Sequence, residues 1–266
     1  MNNVISQAVH EKTEDLIALR RHLHAMPELA FEETATAALI AERMNALGLP
    51  TETGIGKTGV VAVLEGAQPG PTLMIRADID GLPVDEETGL EFTSTNGAMH
   101  ACGHDAHTSI LITAAEILVG MKDQLAGKVV FLFQPAEETI SGAAAMINDG
   151  VLDRYKPDRT IGLHIINVLP VGTIATNSGP LMSGGIRFAI AIEGPGGHAG
   201  WPHTTIDPVV IGSQIVMALQ TVVSREISPM TPGVLTIGSF TTDSPAGNII
   251  SKKAVLQGSV RAFDVE

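Results

Sequence analysis

The sequence predicts an α/β protein with a largely parallel sheet and helices on both of its faces, followed by a smaller α+β domain. The continuous apolar run Val129–Phe133 is typical of a central parallel strand that is covered on both faces. Near Thr173 the composition changes, and the predicted order becomes strand, helix, strand, strand, which favours a separate α+β domain. We expect the boundary within 177–183, so the two predicted domains are residues 1–180 and 181–266.

Apolar periodicity and the positions of glycine and proline predict the individual elements. Apolar residues recur at roughly helical spacing over residues 5–25, and Pro27 ends that pattern. A second, Ala-rich helix at about Glu32–Leu47 is closed by Gly48. Further strands are predicted at Val60–Leu64, Thr72–Ile75 and Thr160–Leu163, and further helices at Ser109–Met121 and Ser141–Asp149. The second domain is predicted to contain strands at Gly185–Ile192, Val234–Phe240 and Ala254–Arg261 and one long helix at Asp207–Ser224.

Charge and composition exclude several classes of partner. The formal net charge of −13 argues against nucleic acid and anionic membranes, because few cations are present to neutralise phosphates. The sequence contains no run of about 18 apolar residues, so we expect no transmembrane helix. The N-terminus lacks the pattern of a signal peptide, and the single cysteine cannot form an internal disulfide, so we expect a cytoplasmic protein.

The segment His100–His107 holds the only cysteine of the chain and three of its nine histidines. Gly103 separates Cys102 from His104 and allows a tight turn, so both side chains can meet one ion. A buried, inert thiol is the ordinary alternative for a lone cysteine. A nucleophilic Cys102 with a histidine base is another alternative, but it leaves the paired glutamates further along the chain unexplained. We therefore interpret Cys102 and His104 as metal ligands.

Three apolar strands each run directly into ligand-type side chains, which predicts a shared functional edge of the sheet. The strands are followed by the segments Arg76–Asp80 and Gln134–Glu138 and by His164. The carboxyl ends of parallel strands form the functional rim of an open α/β sheet. Neighbouring side chains that leave a strand point in different directions, so one of Glu137 and Glu138 can bind metal while the other acts as general base. The alternatives are a solvated acidic loop and, for His164, a core histidine.

Other polar residues near these segments have two open interpretations each. Asp78 and Asp80 either orient a ligand histidine or cap the following loop. His107 and Asp105 can begin the next helix rather than bind metal, and Asp105 suits a helix N-terminus. The Gly/Pro-rich loop Gly194–His203 carries two histidines and the only tryptophan, which favours either a lid or a plain hinge.

Together these segments resemble the M20 family of metallopeptidases and amidohydrolases. The resemblance is greatest to its amidohydrolase branch, which includes aminoacylase-like enzymes, hippurate hydrolases and auxin-conjugate hydrolases. The segments that carry it are Arg21–Glu28, Arg76–Pro83, Met99–Thr108, Phe133–Glu138, Gly162–His164, Gly196–His203 and Gly247–Ile250. They follow the family's order along nearly the whole chain.

The resemblance implies a metal-dependent amidohydrolase that cleaves N-acyl (acetyl or aroyl) amino acids with two divalent ions, such as Zn, Mn, Co or Ni. In it Cys102 bridges the ions and Glu137 is the general base. The other implied metal ligands are His104, Glu138 and His164. The domain 181–266 becomes a lid and homodimerisation domain. Its His198 binds substrate and stabilises the oxyanion, and Asn248 lies near the substrate.

One departure from the family pattern leaves a second hypothesis open. Chains of this family are typically well over a hundred residues longer, and their last histidine ligand lies in a segment beyond the position of Glu266. The alternative function is therefore a truncated, catalytically weak or inactive metal-binding and dimerising module.

Overall fold

The computed structural model describes residues 2–263, and the chain divides into two compact units. The first unit extends to Pro170 and the second begins at Val171. This division lies ten residues before residue 180, at which the composition places the end of the first domain. Each unit contains its own sheet, and the predicted α/β class is confirmed.

A five-stranded mixed sheet with the strand order β1-β2-β4-β3-β5 is the centre of the first unit. The strands are β1 Thr51–Ile55, β2 Gly59–Glu65, β3 Gln68–Asp78, β4 Ala126–Gln134 and β5 Arg159–Gly162. Strand β3 pairs in parallel with β4 and β5, whereas β2 is antiparallel to both β1 and β4. Four strands therefore run in one direction and β2 alone opposes them. The parallel strands β3, β4 and β5 all end at the same edge.

Helices cover both faces of this sheet. They are α1 Asn2–His24, α2 Thr34–Ala46, α3 His104–Gly120, α4 Gly142–Asn148 and α5 Val151–Tyr155. Side chains alternate along β4, so that Phe131 and Phe133 pack with α1, α2 and α3 on one face. Val130 and Leu132 pack with Met146 of α4 on the other face. The prediction of a central strand buried on both faces is thus confirmed for β4.

The second unit is a small α+β unit with an antiparallel sheet in the order β6-β10-β8. Its elements are β6 Gly184–Glu193, β7 Gly197–His198, α6 Pro208–Thr221, β8 Gly233–Thr242, β9 Ile249–Ile250 and β10 Lys253–Ala262. The Asp207 side chain caps α6 by accepting the Val209 N–H at 2.8 Å. Gly212 of α6 lies directly against the ring of Phe240 and against Ile192 of the sheet.

The helical span Pro208–Glu226 is long and apolar enough to cross a membrane by length and composition, with a mean hydropathy of 1.2. The sequence predicted no transmembrane helix here, because the span contains no unbroken apolar run of about 18 residues. Length and composition do not distinguish a membrane-spanning helix from one that packs on a sheet. Because Gly212 packs on β6 and β8, we interpret this span as the helical layer of the second unit.

Candidate metal centre

Ligand-type side chains meet at the edge where β3, β4 and β5 end. Asp78 and Asp80 lie at and just beyond the end of β3, and Glu137 and Glu138 follow β4. His164 follows β5, and α3 begins at the same edge with His104. The predicted rim is therefore present. Helix α3 starts five residues earlier than the predicted Ser109.

His104 belongs to three groups of side chains. Within each group, the ligand atoms lie within 4.8 Å of one another. One group joins it to Cys102 and His164, and another joins it to Glu137 and Glu138. The third joins it to Asp78 and His107. The other four predicted site residues of the first unit are thus grouped around His104: Cys102, Glu137, Glu138 and His164.

Asp80 fixes the orientation of the His104 ring. The Nδ1 of His104 lies 2.9 Å from the carbonyl oxygen of Asp80 and 3.2 Å from its Oδ1. With the proton on Nδ1, the lone pair of the neutral ring is on Nε2. The second carboxylate oxygen of Asp80 accepts the Glu138 N–H at 3.0 Å, so Asp80 joins α3 to the turn after β4. This geometry agrees with the hypothesis that Asp80 orients a ligand histidine.

The Nε2 of His104 is buried and, among the described residues, has no hydrogen-bond partner. It lies 3.6 Å from Asp78 and 3.8 Å from both Glu137 and Glu138. Burial alone would lower the pKa of His104, but its hydrogen bond to Asp80 and the charges of Asp78 and Asp80 raise it overall. A buried nitrogen beside a thiol and carboxylates is a suitable set of ligands for a divalent metal ion.

His107 differs from His104 because both of its ring nitrogens are already used. Its Nδ1 lies 2.6 Å from Asp78 Oδ1, and its Nε2 accepts the Ile165 N–H at 2.9 Å. His107 is therefore a poor ligand candidate, and it links Asp78 to the segment that carries His164. Burial raises the pKa of Asp78, but the hydrogen bond to His107 and the charges of His104 and Arg76 lower it to about 2.

Cys102 and His164 face each other, with 3.4 Å between Sγ and Nε2. The other ring nitrogen of His164 lies 2.6 Å from the Ile165 carbonyl oxygen, which leaves Nε2 for the cluster. Burial and the charge of Glu138 raise the pKa of the Cys102 thiol to about 12. Burial and the charges of Asp78 and Glu138 also raise the pKa of Glu137. Divalent cations would offset this concentration of negative charge, so the residues present fit a metal centre.

Gly103 allows the turn that places Cys102 and His104 side by side. Its φ of +86° is in the left-handed region, which confirms the predicted tight turn, and an added Cβ would lie 2.3 Å from Ile165 Cδ1. We expect Gly103→Ala to lose about 1–2 kcal/mol of unfolding free energy through backbone strain and at least about tenfold in metal affinity. Thermal unfolding and cobalt titration measure the two effects.

Gly48→Ala is a matched control for the Gly103 variant. Gly48 also has a left-handed backbone, with φ of +71°, but no neighbouring atom lies within 4 Å of an added Cβ. It should therefore lose stability and retain wild-type metal affinity. Equal metal affinity in the two variants would contradict the role of Gly103 in aligning the ligands.

The two candidate residues of the second unit lie on one short ribbon. His198 belongs to β7 and pairs with Ile249 of β9, and the Asn248 carbonyl oxygen accepts the Ala199 N–H at 3.2 Å. The Nδ1 of His198 accepts the Gly200 N–H at 3.0 Å. In the neutral ring the proton is therefore on Nε2, and the exposed side chain presents a hydrogen-bond donor.

Several buried polar residues near the centre make contacts that the sequence patterns did not predict. His24 lies between Asp105, at 2.8 Å, and Glu86, at 3.1 Å. Asp105 lies in the first turn of α3, as one of the two interpretations expects, and it also pairs with Arg20 at 2.7 Å. Glu33 is completely buried next to the turn after β4. These partners are separated by 62 to 103 positions, and no local spacing reveals them.

Comparison with known proteins identifies close relatives across the whole chain. A family model described as peptidase family M20/M25/M40 matches residues 74–255. The chain is 44% identical over its full length to an N-acetyl-L-cysteine deacetylase of Bacillus subtilis, and it spans 63% of that protein. It is also 44% identical to an N-acyl-L-amino acid amidohydrolase of Geobacillus stearothermophilus, with 98% of this chain and 70% of that protein aligned.

Solved structures give the same result. A protein of methicillin-resistant Staphylococcus aureus, described as an aminohydrolase, matches 99% of this chain and 67% of its own with a TM-score of 0.84 and 43% identity. A dinuclear metal-binding M20 peptidase of Bacillus subtilis matches 95% of this chain and 65% of its own, with a TM-score of 0.75 and 37% identity.

Proposed function

The chain belongs to peptidase family M20/M25/M40, and on this premise we propose that it acts as a metal-dependent hydrolase of N-acyl amino acids. The bond cleaved is the amide between an acetyl or aroyl group and the amino acid. The proposal depends above all on one observation: thiol, imidazole and carboxylate atoms converge on the buried Nε2 of His104. The similarity to an N-acyl-L-amino acid amidohydrolase supports the substrate class.

We assign four side chains to two divalent ions. The residues that would hold these ions are Cys102, His104, Glu138 and His164. When bound, such ions polarise an amide carbonyl and lower the pKa of a water molecule. Asp80 and His107 orient ligands, the first through hydrogen bonds to His104 and Glu138 and the second through the backbone of Ile165.

Glu137 is the general base of the proposed reaction. Its carboxylate lies within the cluster, 3.8 Å from His104, and is partly exposed, so a substrate and a water molecule can reach it. It takes the proton from the attacking water and later delivers that proton to the leaving amine nitrogen. Its raised pKa makes the carboxylate a stronger base and so favours the first of these transfers.

In the proposed homodimer, the second unit supplies contacts to substrate. His198 donates from Nε2 to the developing oxyanion, and Asn248 binds substrate beside it. The apolar side chains on the outside of α6 support association of two copies, since Val210 is 53% and Met217 69% exposed. Sedimentation of the purified protein tests this part of the proposal.

The reduced thiol that the site needs is consistent with the predicted cytoplasmic location.

We expect the purified chain to contain two divalent ions by elemental analysis and to hydrolyse N-acetyl and N-benzoyl amino acids. The chain spans 63–70% of the length of these relatives, so the metal content and the hydrolysis are both measured on this chain itself. Removing the ions with a chelator should abolish hydrolysis, and adding cobalt or zinc back should restore it. Two bound ions with no hydrolysis of any substrate in the series would instead support a metal-binding and dimerising module.

A further inference from the structure

Glu33 has a carboxyl group that is 0% exposed and joins two distant segments of the chain. Its Oε1 accepts the backbone N–H of Ala136 at 2.8 Å. Its Oε2 accepts the hydroxyl of Thr58 at 2.5 Å. A carboxyl group is placed in the interior at a high cost in hydration free energy, and both of its oxygens must be satisfied. The two bonds meet this need and connect the turn after β4 to the turn between β1 and β2.

Capping of α2 does not explain the buried side chain. Glu33 directly precedes this helix, but its side chain makes no capping hydrogen bond. The carboxylate of Glu28 does so instead, accepting the N–H groups of Ala35 at 2.9 Å and Thr36 at 2.7 Å. The Glu33 carboxyl group is thus directed entirely at the turns beneath the helix.

The segments that Glu33 joins contain most of the strained backbone of the described chain. Of the five non-glycine residues with positive φ in the described chain, three lie in these segments: Lys57, Ala136 and Ile140. A fourth, Phe31, lies two residues before Glu33. Each such residue costs about 1–3 kcal/mol and persists only where its surroundings hold it. Ala136, with φ of +48°, directly precedes Glu137 and Glu138. Its N–H is held by Glu33, and its carbonyl oxygen accepts the Gly142 N–H at 3.1 Å.

We propose that Glu33 is a positioning residue that holds Ala136 in its left-handed conformation and thereby directs Glu137 and Glu138 into the metal centre. Two buried carboxyl groups bind the two ends of the segment 136–138. Glu33 accepts the N–H of Ala136, and Asp80 accepts the N–H of Glu138. The consequence for catalysis depends on the hydrolase function proposed above. The consequences for hydrogen-exchange protection of the backbone and for metal affinity do not depend on that function.

The test compares Glu33→Ala and Glu33→Gln with Glu32→Ala, which changes the exposed neighbouring glutamate. In Glu33→Ala, hydrogen exchange should accelerate in a peptide covering residues 134–139 and stay unchanged in β2 and β3. Cobalt affinity should fall about 10- to 100-fold, and kcat should fall with little change in KM. Glutamine can accept from Ala136 and donate to Thr58, so Glu33→Gln should retain affinity and protection, as should Glu32→Ala.

A further variant separates positioning from general destabilisation. Glycine adopts left-handed backbone without strain, so adding Ala136→Gly to Glu33→Ala should recover part of the lost cobalt affinity. If Glu33→Ala does not fold, Glu33→Asp retains a carboxyl group that is too short to reach both partners, and it should show the same local exchange.

Two results would overturn the proposal. One is unchanged exchange at 134–139 together with unchanged cobalt affinity. The other is a loss of protection spread over the whole sheet that glycine does not reverse. Wild-type protein that lacks hydrolysis, while the exchange and cobalt effects are present, defeats only the hydrolase function.

Discussion

Replacing Glu137 with glutamine is expected to lower kcat by about 10²- to 10⁴-fold while leaving the bound metal unchanged. Glutamine has the same shape but cannot accept and return a proton, so the step from water to the leaving amine loses its base. The hydrogen bonds that orient Cys102, His104 and His164 do not involve this side chain. Steady-state hydrolysis and elemental analysis of the same preparation measure both quantities.

The neighbouring substitution Glu138→Gln is the matched control for the base. Glu138 is assigned as a ligand, so its loss should lower the metal content as well as the activity. The two variants would then differ in the amount of metal bound by the protein and not only in turnover. Near-normal turnover in Glu137→Gln, with two ions bound, would falsify the base assignment.

The position of the centre was predictable because the relevant signals are local in sequence. Val129–Phe133 is apolar throughout, so it had to be a buried strand, and the polar residues that follow it had to emerge at its carboxyl end. Parallel pairing of β3 with β4 and β5 then brings three such ends to one edge. The Cys102-Gly103-His104 spacing needs only a left-handed glycine, which the backbone provides.

The residues that orient the ligands could not be predicted, because their partners are distant in sequence. Glu33 reads as a helix start, yet it bonds to a backbone N–H 103 positions away. His107 reads equally well as a ligand or as a helix residue, and only its bonds to Asp78 and Ile165 decide between them. Strand β1 was missed since Thr51–Ile55 is mostly exposed and lacks apolar alternation. Its existence depends on pairing with β2.

Replacing Cys102 with alanine is expected to reduce the bound metal from two ions to one or none while the fold is retained. Its thiolate would be a ligand in the proposed centre, whereas its packing role is small because the side chain is only partly buried. Elemental analysis gives the stoichiometry. Cobalt titration adds a direct signature, since thiolate-to-cobalt charge-transfer absorption should be present in the wild type and absent in the variant.

The pH dependence of binding provides a second, independent test of Cys102. Burial and the charge of Glu138 raise the pKa of the thiol to about 12 in the absence of metal, so at neutral pH the thiol is protonated and must release its proton to become a ligand. Each pH unit of increase below that pKa should therefore strengthen wild-type metal binding by about tenfold for this proton alone. Cys102→Ala should lose one proton from the measured release and show a correspondingly shallower slope. Two ions bound with an unchanged slope in the variant would mean that the thiol is not a ligand. The cluster around His104 would then have to bind metal through nitrogen and oxygen atoms only.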